Sequence, residues 1–219
     1  FDEVYAWHPK RNEAFEGLLI TLIQQYKERS DVLLKKDVKK SKLGHWYLSN
    51  EITGMSLYVD RFGENIQGLQ KKLDYFKELG VNFLHLMPIF ESPEGESDGG
   101  YAVSDFRKVA SRFGTLEDLQ NLIADMNTAN MYLMLDIVLN HTSHHHEWAQ
   151  KAKGGDPYYQ DFFYFYDHRG IPDQLDQTMP EIFPESSPGS FTYVPELNKW
   201  VMTVFHHYQW DLNFSNPNV

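Results

Sequence analysis

The chain has 219 residues, with 20 Lys and Arg against 31 Asp and Glu, which gives a formal net charge of −11 at pH 7. Its residues are 42% hydrophobic and 15% aromatic, enough apolar side chain to bury a core, so the composition argues against disorder. The acidic balance argues against nucleic acid or an anionic membrane as a partner, and the absence of cysteine excludes a disulfide scaffold, a thiolate metal site and a cysteine nucleophile.

The sequence also carries no sign of a membrane or secretion segment. No apolar run approaches the roughly 20 residues needed to span a bilayer. Residues 1–3 are not a charged region followed by an apolar one, so no secretory signal is predicted. We therefore expect a cytoplasmic location, with the true N-terminus of the protein left open.

Two helices are predicted in the first 50 residues. The first rests on one apolar stripe at helical spacing, formed by Phe15, Leu18, Leu19, Leu22, Ile23 and Tyr26. Residues 31–43 are charged with a few Leu and Val, which predicts a second, more exposed helix or a linker.

From about residue 52, short apolar runs alternate with helical periodicity. The apolar runs cover residues 55–59, 81–87 and 131–139. A helix is predicted after the first run from the spacing of Ile66, Leu69, Leu73 and Phe76, with Gly80 in the position of a helix-ending glycine. A second helix is predicted to open at Thr115, which forms a capping box with Asp118. Continuous apolar runs favour an α/β fold whose parallel strands are buried on both faces, in the order β-α-β-α-β.

After His141 this pattern stops. Residues 142–207 are rich in aromatics and lack helical periodicity beyond a turn or two, and they are far longer than the usual 2–6 residue connection of an α/β protein. We expect an irregular inserted subdomain that carries function. Most of the seven aromatics between 158 and 166 are expected in its core, with one or two reaching a ligand such as the face of a sugar ring.

The candidate functional residues follow the second and third strands. Ligands of parallel sheets bind at the carboxyl ends of the strands, so side chains in these positions can reach a ligand. Asp98 and Tyr101 follow the second strand, and Asp136, Asn140 and His141 follow the third. Asp98 before two glycines is also typical of a simple turn. Asp136 lies among apolar residues and must meet an Arg or a hydrogen-bond network, which can be functional or purely structural.

The histidines at 141 and 144–146 raise the question of a metal site. No cysteine accompanies them, and the nearby acid in the sequence is Glu147. Three adjacent histidines cannot all face one ion from a helix or a strand. We predict no metal here, but a solvated loop from which only His141 points inward. The phosphate-cradling and nucleophile-elbow motifs are also absent, which argues against nucleotide-binding and serine-hydrolase folds.

Three segments resemble the α-amylase superfamily of glycoside hydrolases and transglucosidases: Asp136-Ile137-Val138-Leu139-Asn140-His141, Gln209-Trp210-Asp211-Leu212-Asn213, and Asp98-Gly99-Gly100-Tyr101-Ala102-Val103. Three others resemble its amylosucrase and sucrose hydrolase branch: Leu84-His85-Leu86-Met87-Pro88, Glu181-Ile182-Phe183-Pro184 with Pro188-Gly189-Ser190-Phe191, and Tyr208-Gln209-Trp210-Asp211. The resemblance covers essentially the whole chain.

The resemblance implies an incomplete TIM (β/α)₈ barrel. Residues 1–50 would be the C-terminal part of a helical N-terminal region, and residues 51–141 the first three βα units of the catalytic barrel. Residues 142–208 would be an inserted B domain, and residues 209–219 the lead-in to the fourth barrel strand. A complete barrel of this kind takes about 250 residues before insertions.

The resemblance also implies roles in binding a glucosyl ring. Asp98, paired with an Arg, and Tyr101 would line the subsite for that ring, and His141 would hydrogen-bond one of its hydroxyls. Phe205 would pack against the ring and Phe183 would shape the acceptor side, while Asp136 and Asn140 support the rim. Pro180 stands where many members of the branch carry Arg, which leaves acceptor choice open.

The expected enzyme uses a retaining mechanism, which needs a carboxylate nucleophile and a carboxylic acid/base. In the superfamily, the nucleophile Asp, the acid/base Glu and a third Asp lie on later strands, so we expect them beyond Val219 and expect residues 1–219 alone to be inactive. Asp211 precedes the fourth strand and is not predicted to be the nucleophile.

The expected reaction is glucosyl transfer from sucrose to an α-glucan or to water. No cofactor is expected, and the oligomeric state is not predicted. The alternatives are an α-glucosidase or a sucrose- or trehalose-isomerising enzyme and, from another class, a carbohydrate-binding relative without catalysis.

Overall fold

The computed structural model describes all residues from Phe1 to Val219. The chain divides into two compact units, Phe1–Thr53 with Phe214–Val219, and Gly54–Asn213. None of its helices combines the length and the apolar character that crossing a membrane requires.

The first unit is helical, as the spacing predicts. It contains α1 (Asp2–Tyr5), α2 (Arg11–Glu28) and α3 (Asp31–Leu43), followed by a short 3₁₀ turn. Residues 31–43 therefore form a helix and not a linker, and Ser30 begins it by accepting a hydrogen bond from the backbone N–H of Leu33. None of the residues of α2 is buried, so its apolar stripe is exposed in this structure.

The second unit begins with the predicted β-α-β-α-β order. Strands β1 (Gly54–Leu57), β2 (Phe83–Leu86) and β5 (Tyr132–Leu135) form a parallel sheet in the order β1-β2-β5. Between β1 and β2 lie α4 (Val59–Gly63), α5 (Ile66–Gln70) and α6 (Leu73–Glu78). Between β2 and β5 lie a small antiparallel pair, β3 (Phe90–Glu91) and β4 (Asp105–Val109), and helix α7 (Leu116–Thr128).

The single helix predicted between the first two strands is three short ones. The backbone is tight where α4 meets α5, since a Cβ on Gly68 would lie 1.8 Å from the carbonyl oxygen of Gly63. The predicted helix ends are found. Gly80, at φ +81°, donates to the carbonyl of Lys77, while Val81 donates to that of Phe76, which together close α6. The capping box of Thr115 and Asp118 opens α7.

The prediction that the strands are buried on both faces is wrong. In β2, Leu84 and Leu86 are fully buried, but Phe83 and His85, which alternate with them, are only partly buried. In β5, Met134 is 43% exposed. Met134 pairs with His85 of β2, so both side chains lie on the sheet face away from the core. The core forms on the face that the helices cover, around side chains such as Leu122 of α7.

Residues 141–213 are more regular than predicted. They contain β6 (His141–Ser143), α8 (Glu147–Lys153), α9 (Pro157–Gln160), β7 (Phe165–Tyr166), α10 (Gly170–Asp176), β8 (Phe191–Val194), β9 (Lys199–Met202) and β10 (Gln209–Asp211). Strands β7, β9 and β8 form an antiparallel sheet, and β6 pairs with β10. The β8–β9 hairpin was predictable from the sequence, because two apolar runs flank the turn-forming Pro195-Glu196-Leu197-Asn198.

Candidate functional site

One pocket of about 500 Å³ gathers the seven side chains that the sequence singled out. They arrive from three parts of the second unit: the loop after β3, the segment after β5, and two positions in the inserted segment. The lining includes Asp98, Tyr101, Asp136, Asn140, His141, Phe183 and Phe205. The structure thus places all seven around one cavity, and the roles expected of them in binding remain predictions.

The loop that carries Asp98 is a turn that also faces the pocket. Asp98 begins a short 3₁₀ turn, Asp98–Gly100, with a positive φ of 48°. Gly100 has φ +102°, and a Cβ there would lie 3.0 Å from the carbonyl oxygen of Pro88. Only glycine fits this position without displacing backbone. Asp98 therefore lies in a turn and also lines the pocket, and its role in binding stays a prediction.

Asp136 is held by a hydrogen-bond network and not by an arginine. It accepts a hydrogen bond from the Tyr101 hydroxyl at 2.8 Å and contacts Nε2 of His85 at 2.8 Å. His85 in turn contacts the Ser56 hydroxyl through Nδ1 at 3.0 Å. Burial, and then the hydrogen bond to Asp136, raise the pKa of Tyr101 to about 12. Tyr101 therefore stays protonated at neutral pH and remains a donor.

Three of the pocket residues, Asp98, Asn140 and His141, are hydrogen-bonded to Gln209 and Asp211, which do not line the pocket. We call these five residues the polar joint. The buried Gln209 amide donates to Asp98 at 3.1 Å, and its oxygen accepts from the backbone N–H of His206 at 3.0 Å. Within this chain the partners of Asp98 are the Gln209 amide and the His206 ring, whose Nε2 lies 3.6 Å away. The arginine expected to pair with Asp98 stays a prediction.

His141 is neutral within this joint. Burial lowers its pKa to about 4. Nε2 lies 3.2 Å from the carbonyl oxygen of Tyr101, and Nδ1 lies 3.3 Å from the amide nitrogen of Asn140. The contacts with Tyr101 and Asn140 favour the neutral tautomer with its proton on Nε2, whereas the Gln209 amide nitrogen, also a donor, lies 3.0 Å from the same Nε2 and favours a lone pair there. The Tyr101 carbonyl and the Gln209 amide therefore compete for Nε2. Protonation of Nδ1 would oppose the Asn140 amide, which also favours the neutral ring.

Asp211 closes the joint and does not line the pocket. Its two oxygens accept from the Asn140 amide at 2.6 Å and from the Val204 backbone N–H at 2.7 Å. The β6–β10 pairing places Asp211 opposite His141. Burial raises the pKa of Asp211 to about 6 in spite of the two donors. The structure thus gives Asp211 a position behind the rim, where it supports Asn140.

The aromatic side of the pocket is Phe205 with Phe183. The Phe205 and His141 rings are 4.9 Å apart at their centroids, and Phe183 stacks on His206 at 4.8 Å. None of the seven aromatics between 158 and 166 lines the pocket, so the expectation that one or two reach the ligand site is not met. Phe163 instead packs edge-on against Trp210 at 5.5 Å, in the interior of the inserted segment.

Sequence reasoning missed three residues that hold the site: His85, His206 and Gln209. Two of them, His85 and Gln209, lie inside segments that carry the family resemblance, but residue spacing predicted no contact for them.

The prediction of a solvated loop at 144–146 is also wrong in part. His146 caps α8 by accepting from the Trp148 backbone, and His144 is half-buried against Glu96. The partner lies 48 residues upstream, which no local pattern reveals.

Comparison with known proteins identifies the family. A family model for the alpha-amylase catalytic domain matches residues 36–219. The chain belongs to the alpha-amylase family. Its fold is accordingly of the TIM-barrel type, and the resemblance to the α-amylase superfamily is confirmed.

The individual relatives are much longer than this chain. Oligo-1,6-glucosidase of Bacillus cereus is 34% identical over 166 residues, which cover 74% of this chain and 28% of the relative. Trehalose synthase/amylase TreS of Mycolicibacterium smegmatis is 36% identical over 165 residues, 74% of this chain and 26% of the relative. The solved isomaltulose synthase SmuA of Protaminobacter rubrum matches with a TM-score of 0.68 and 31% identity, covering 77% of this chain and 30% of that one.

A solved isomaltulose synthase variant of Erwinia rhapontici, in complex with its natural substrate sucrose, matches with a TM-score of 0.67 and 30% identity, again covering 77% of this chain and 30% of that one. The chain therefore spans less than a third of the length of these relatives.

Proposed function

We propose that residues 54–213 supply the glucosyl-binding part of a retaining α-glucoside-acting enzyme. The observation that carries the proposal is the pocket itself, where a carboxylate, a phenol, a neutral imidazole and two aromatic rings surround one cavity of about 500 Å³. Sugars are recognised by this combination, because their hydroxyls need acceptors and donors while their C–H faces pack on aromatic rings.

Each group has a stated part in that binding. Asp98 would accept hydrogen bonds from hydroxyls of the ring, and the neutral His141 adds a polar group without a charge that needs compensation. Phe205, packed against His141, would cover the apolar face of the sugar. Tyr101 is tied to Asp136, so it would fix the wall of the pocket and leave Asp98 as the carboxylate most open to a hydroxyl.

We further propose that the groups that break the glycosidic bond belong to later barrel units, with this chain forming the first three. The length of the relatives, of which the chain covers 26–30%, supports this. A retaining glycosidase needs two carboxyl groups about 5–5.5 Å apart, one of them free to attack. Asp136 is occupied by Tyr101 and His85, and Asp211 lies behind the rim.

The proposed substrate is sucrose or a related α-glucoside with a terminal glucosyl group. The amylosucrase-like reaction, with an α-glucan as acceptor, is the one that the sequence segments favour. A second candidate, an isomerising or hydrolysing enzyme, is favoured by the names of the matched relatives, which include isomaltulose synthase and oligo-1,6-glucosidase.

Product analysis of the full-length protein separates these reactions. The protein is incubated with sucrose, with sucrose plus glycogen, and with isomaltose, and the products are resolved by chromatography. Growth of the glucan with release of fructose indicates the transferase, a sucrose isomer indicates the isomerase, and glucose from isomaltose indicates the glucosidase. Absence of turnover on all three, with sugar binding retained, would support the non-catalytic relative and contradict the enzyme.

The pocket residues predict how glucose affinity changes on mutation. Asp98→Asn should weaken glucose binding roughly 10- to 150-fold, because a charged acceptor contributes about 1.5–3 kcal/mol. Phe205→Ala should weaken it roughly 2- to 12-fold through lost ring packing. Calorimetric titration of the full-length protein measures both. Glu94→Gln, an exposed acid in the same loop as Asp98, is the matched control. Equal affinity in all three variants would place the sugar elsewhere.

A further inference from the structure

Beside the pocket, one carboxylate is surrounded by imidazoles that the proposed function does not use. The Glu96 carboxylate lies 2.9 Å from Nε2 of His144 and 3.7 Å from Nε2 of His145 through one oxygen. Its other oxygen lies 3.5 Å from Nε2 of His207. The ligand atoms of Glu96, His144 and His145 all lie within 4.8 Å of one another.

We infer that Glu96, His144 and His145 form a binding site for Zn²⁺, with His207 as the fourth ligand. Two imidazole nitrogens and one carboxylate oxygen are a donor set that zinc sites use, whereas Mg²⁺ and Ca²⁺ prefer oxygen donors throughout. Zinc bonds of about 2.0–2.1 Å in a tetrahedron separate neighbouring ligand atoms by roughly 3.3–3.5 Å. The distances from the Glu96 carboxylate to the imidazoles of His144, His207 and His145 are 2.9, 3.5 and 3.7 Å, which lie on either side of that value.

The backbone holds these ligands in place before any ion binds. The N–H of His144 donates to the carbonyl of Tyr208 at 2.7 Å, and Gln150 donates to the carbonyl of His144 at 2.7 Å. The loop of Glu96 is closed by the bond from the Ala102 N–H to the Ser97 carbonyl at 2.9 Å. Such preorganisation lowers the entropic cost of binding, because the side chains start close to their final positions.

Adjacent histidines can share this ion because the chain turns directly after β6. The rings of His144 and His145 are nearly perpendicular, at 86°, with centroids 4.4 Å apart, and both direct Nε2 toward Glu96. His146 takes no part, since its Nδ1 accepts from the Trp148 backbone. The sequence predicts no metal here because three adjacent histidines on one helix or strand cannot share an ion and the nearby acid is Glu147. In the structure His144 and His145 lie on a turn, and the acid beside them is Glu96.

The site is open to solvent on one side, which provides a path for the ion. His145 and His207 have side chains that are 54% and 64% exposed, whereas His144 and Glu96 are more enclosed, at 22% and 35%. We therefore expect His144 and Glu96 to set the position of the ion and the two exposed rings to close around it. Binding would link the loop of Glu96, β6 and the segment before β10.

The test uses the full-length protein freed of metal with EDTA and titrated with ZnCl₂ in a calorimeter, with Co²⁺ as a spectroscopic substitute. The proposal expects one equivalent of Zn²⁺ at this site and the intense visible absorption of tetrahedral Co²⁺. Glu96→Gln and His144→Ala should each weaken Zn²⁺ binding at least roughly tenfold, since even outer partners of zinc ligands contribute that much. His207→Ala should have a smaller effect in the same direction.

His168→Ala is the matched control. This histidine is exposed in the same inserted segment and contacts the backbone N–H of Gly170. His145→Ala keeps the proposal testable if the His144 variant fails to fold, because an exposed ring can be removed with little effect on stability. Zn²⁺ affinity unchanged in the Glu96 and His145 variants, or a weak octahedral Co²⁺ spectrum, would overturn the site. Neither outcome depends on whether the protein acts on sugars.

Discussion

The apolar core around α7 and the polar joint at the pocket lie in the same compact unit but are stabilised by different forces. In the core, Leu119, Leu122 and Met126 of α7 are buried among other apolar side chains. In the joint, Gln209, His141 and Asp211 are equally buried, but each depends on named hydrogen bonds. Burial without directional partners tolerates changes in pH, whereas the joint contains two groups whose pKa burial has displaced.

The largest expected effect lies in the core. Leu122→Ala should lower the free energy of unfolding by about 2–5 kcal/mol, because it removes a fully buried side chain and leaves a cavity. Urea unfolding followed by circular dichroism measures the loss. The effect should be the same at pH 5 and pH 7, since no titratable group is involved.

Leu22→Ala in α2 is the matched control for that measurement. Leu22 is 56% exposed, so its loss should change the free energy of unfolding by no more than about 0.5 kcal/mol. A loss above about 1 kcal/mol would show that the stripe of α2 is buried against something in solution, and the contrast between exposed and buried leucines would no longer hold.

The same contrast explains which parts of the fold were predictable. Periodicity predicted both α2 and α7 correctly, because a repeat of 3.6 residues is a local property. It did not predict that one stripe is buried and the other exposed, since that depends on what packs against the helix. The prediction that the strands are buried on both faces was wrong for a similar reason. An apolar run indicates a strand, but it does not show whether another layer covers each face of the sheet.

The residues of the site also divide into those that the sequence predicted and those that it did not. Asp98, Tyr101, Asp136 and His141 were predictable because the carboxyl ends of parallel strands meet at one edge of a sheet. Phe183 and Phe205 came only from the family resemblance, because they follow no strand of the parallel sheet. The partners Gln209 and Glu96 could not be inferred from spacing, because 111 residues separate Gln209 from Asp98 and 48 separate His144 from Glu96.

A smaller effect is expected when the joint loses a hydrogen-bonding side chain. Gln209→Ala leaves Asp98 without its amide donor and the His206 N–H without its acceptor, which should cost about 1–3 kcal/mol of unfolding free energy. Gln177→Ala, at an exposed position, is the control and should be near neutral. Glucose affinity of the Gln209 variant should fall as well, because Asp98 is no longer held in place; unchanged affinity would show that the joint does not position Asp98.

The smallest expected effect is the net pH dependence of the two displaced groups in the joint. His141, with a pKa lowered from 6.5 to about 4, contributes stability that is complete above pH 6.5 and is lost as the pH falls through 4. Asp211, with a pKa raised from 3.8 to about 6, contributes stability that is complete below pH 3.8 and is lost as the pH rises through 6. Each term reaches about 3 kcal/mol at most, and because they have opposite signs over nearly the same window, their sum should stay within about 1 kcal/mol between pH 4 and 7.

Replacing Asp211 should unbalance the two opposing pH dependences, so that the contribution of Asp211 can be measured. Asp211→Asn deletes the term that weakens the fold as pH rises, so relative to the wild-type protein this variant should gain roughly 1–3 kcal/mol of unfolding free energy between pH 4 and 7. The difference between variant and wild type cancels the titration of all other groups. The loss of one of the two hydrogen bonds that Asp211 accepts, from Asn140 or from Val204, shifts the difference by a constant without changing its slope. Leu22→Ala, which removes no titratable group, should give a flat difference. A flat difference for Asp211→Asn as well would mean that the Asp211 carboxyl titrates as it does in the unfolded chain, and the joint would then be stabilised like a solvated surface and not by buried polar contacts.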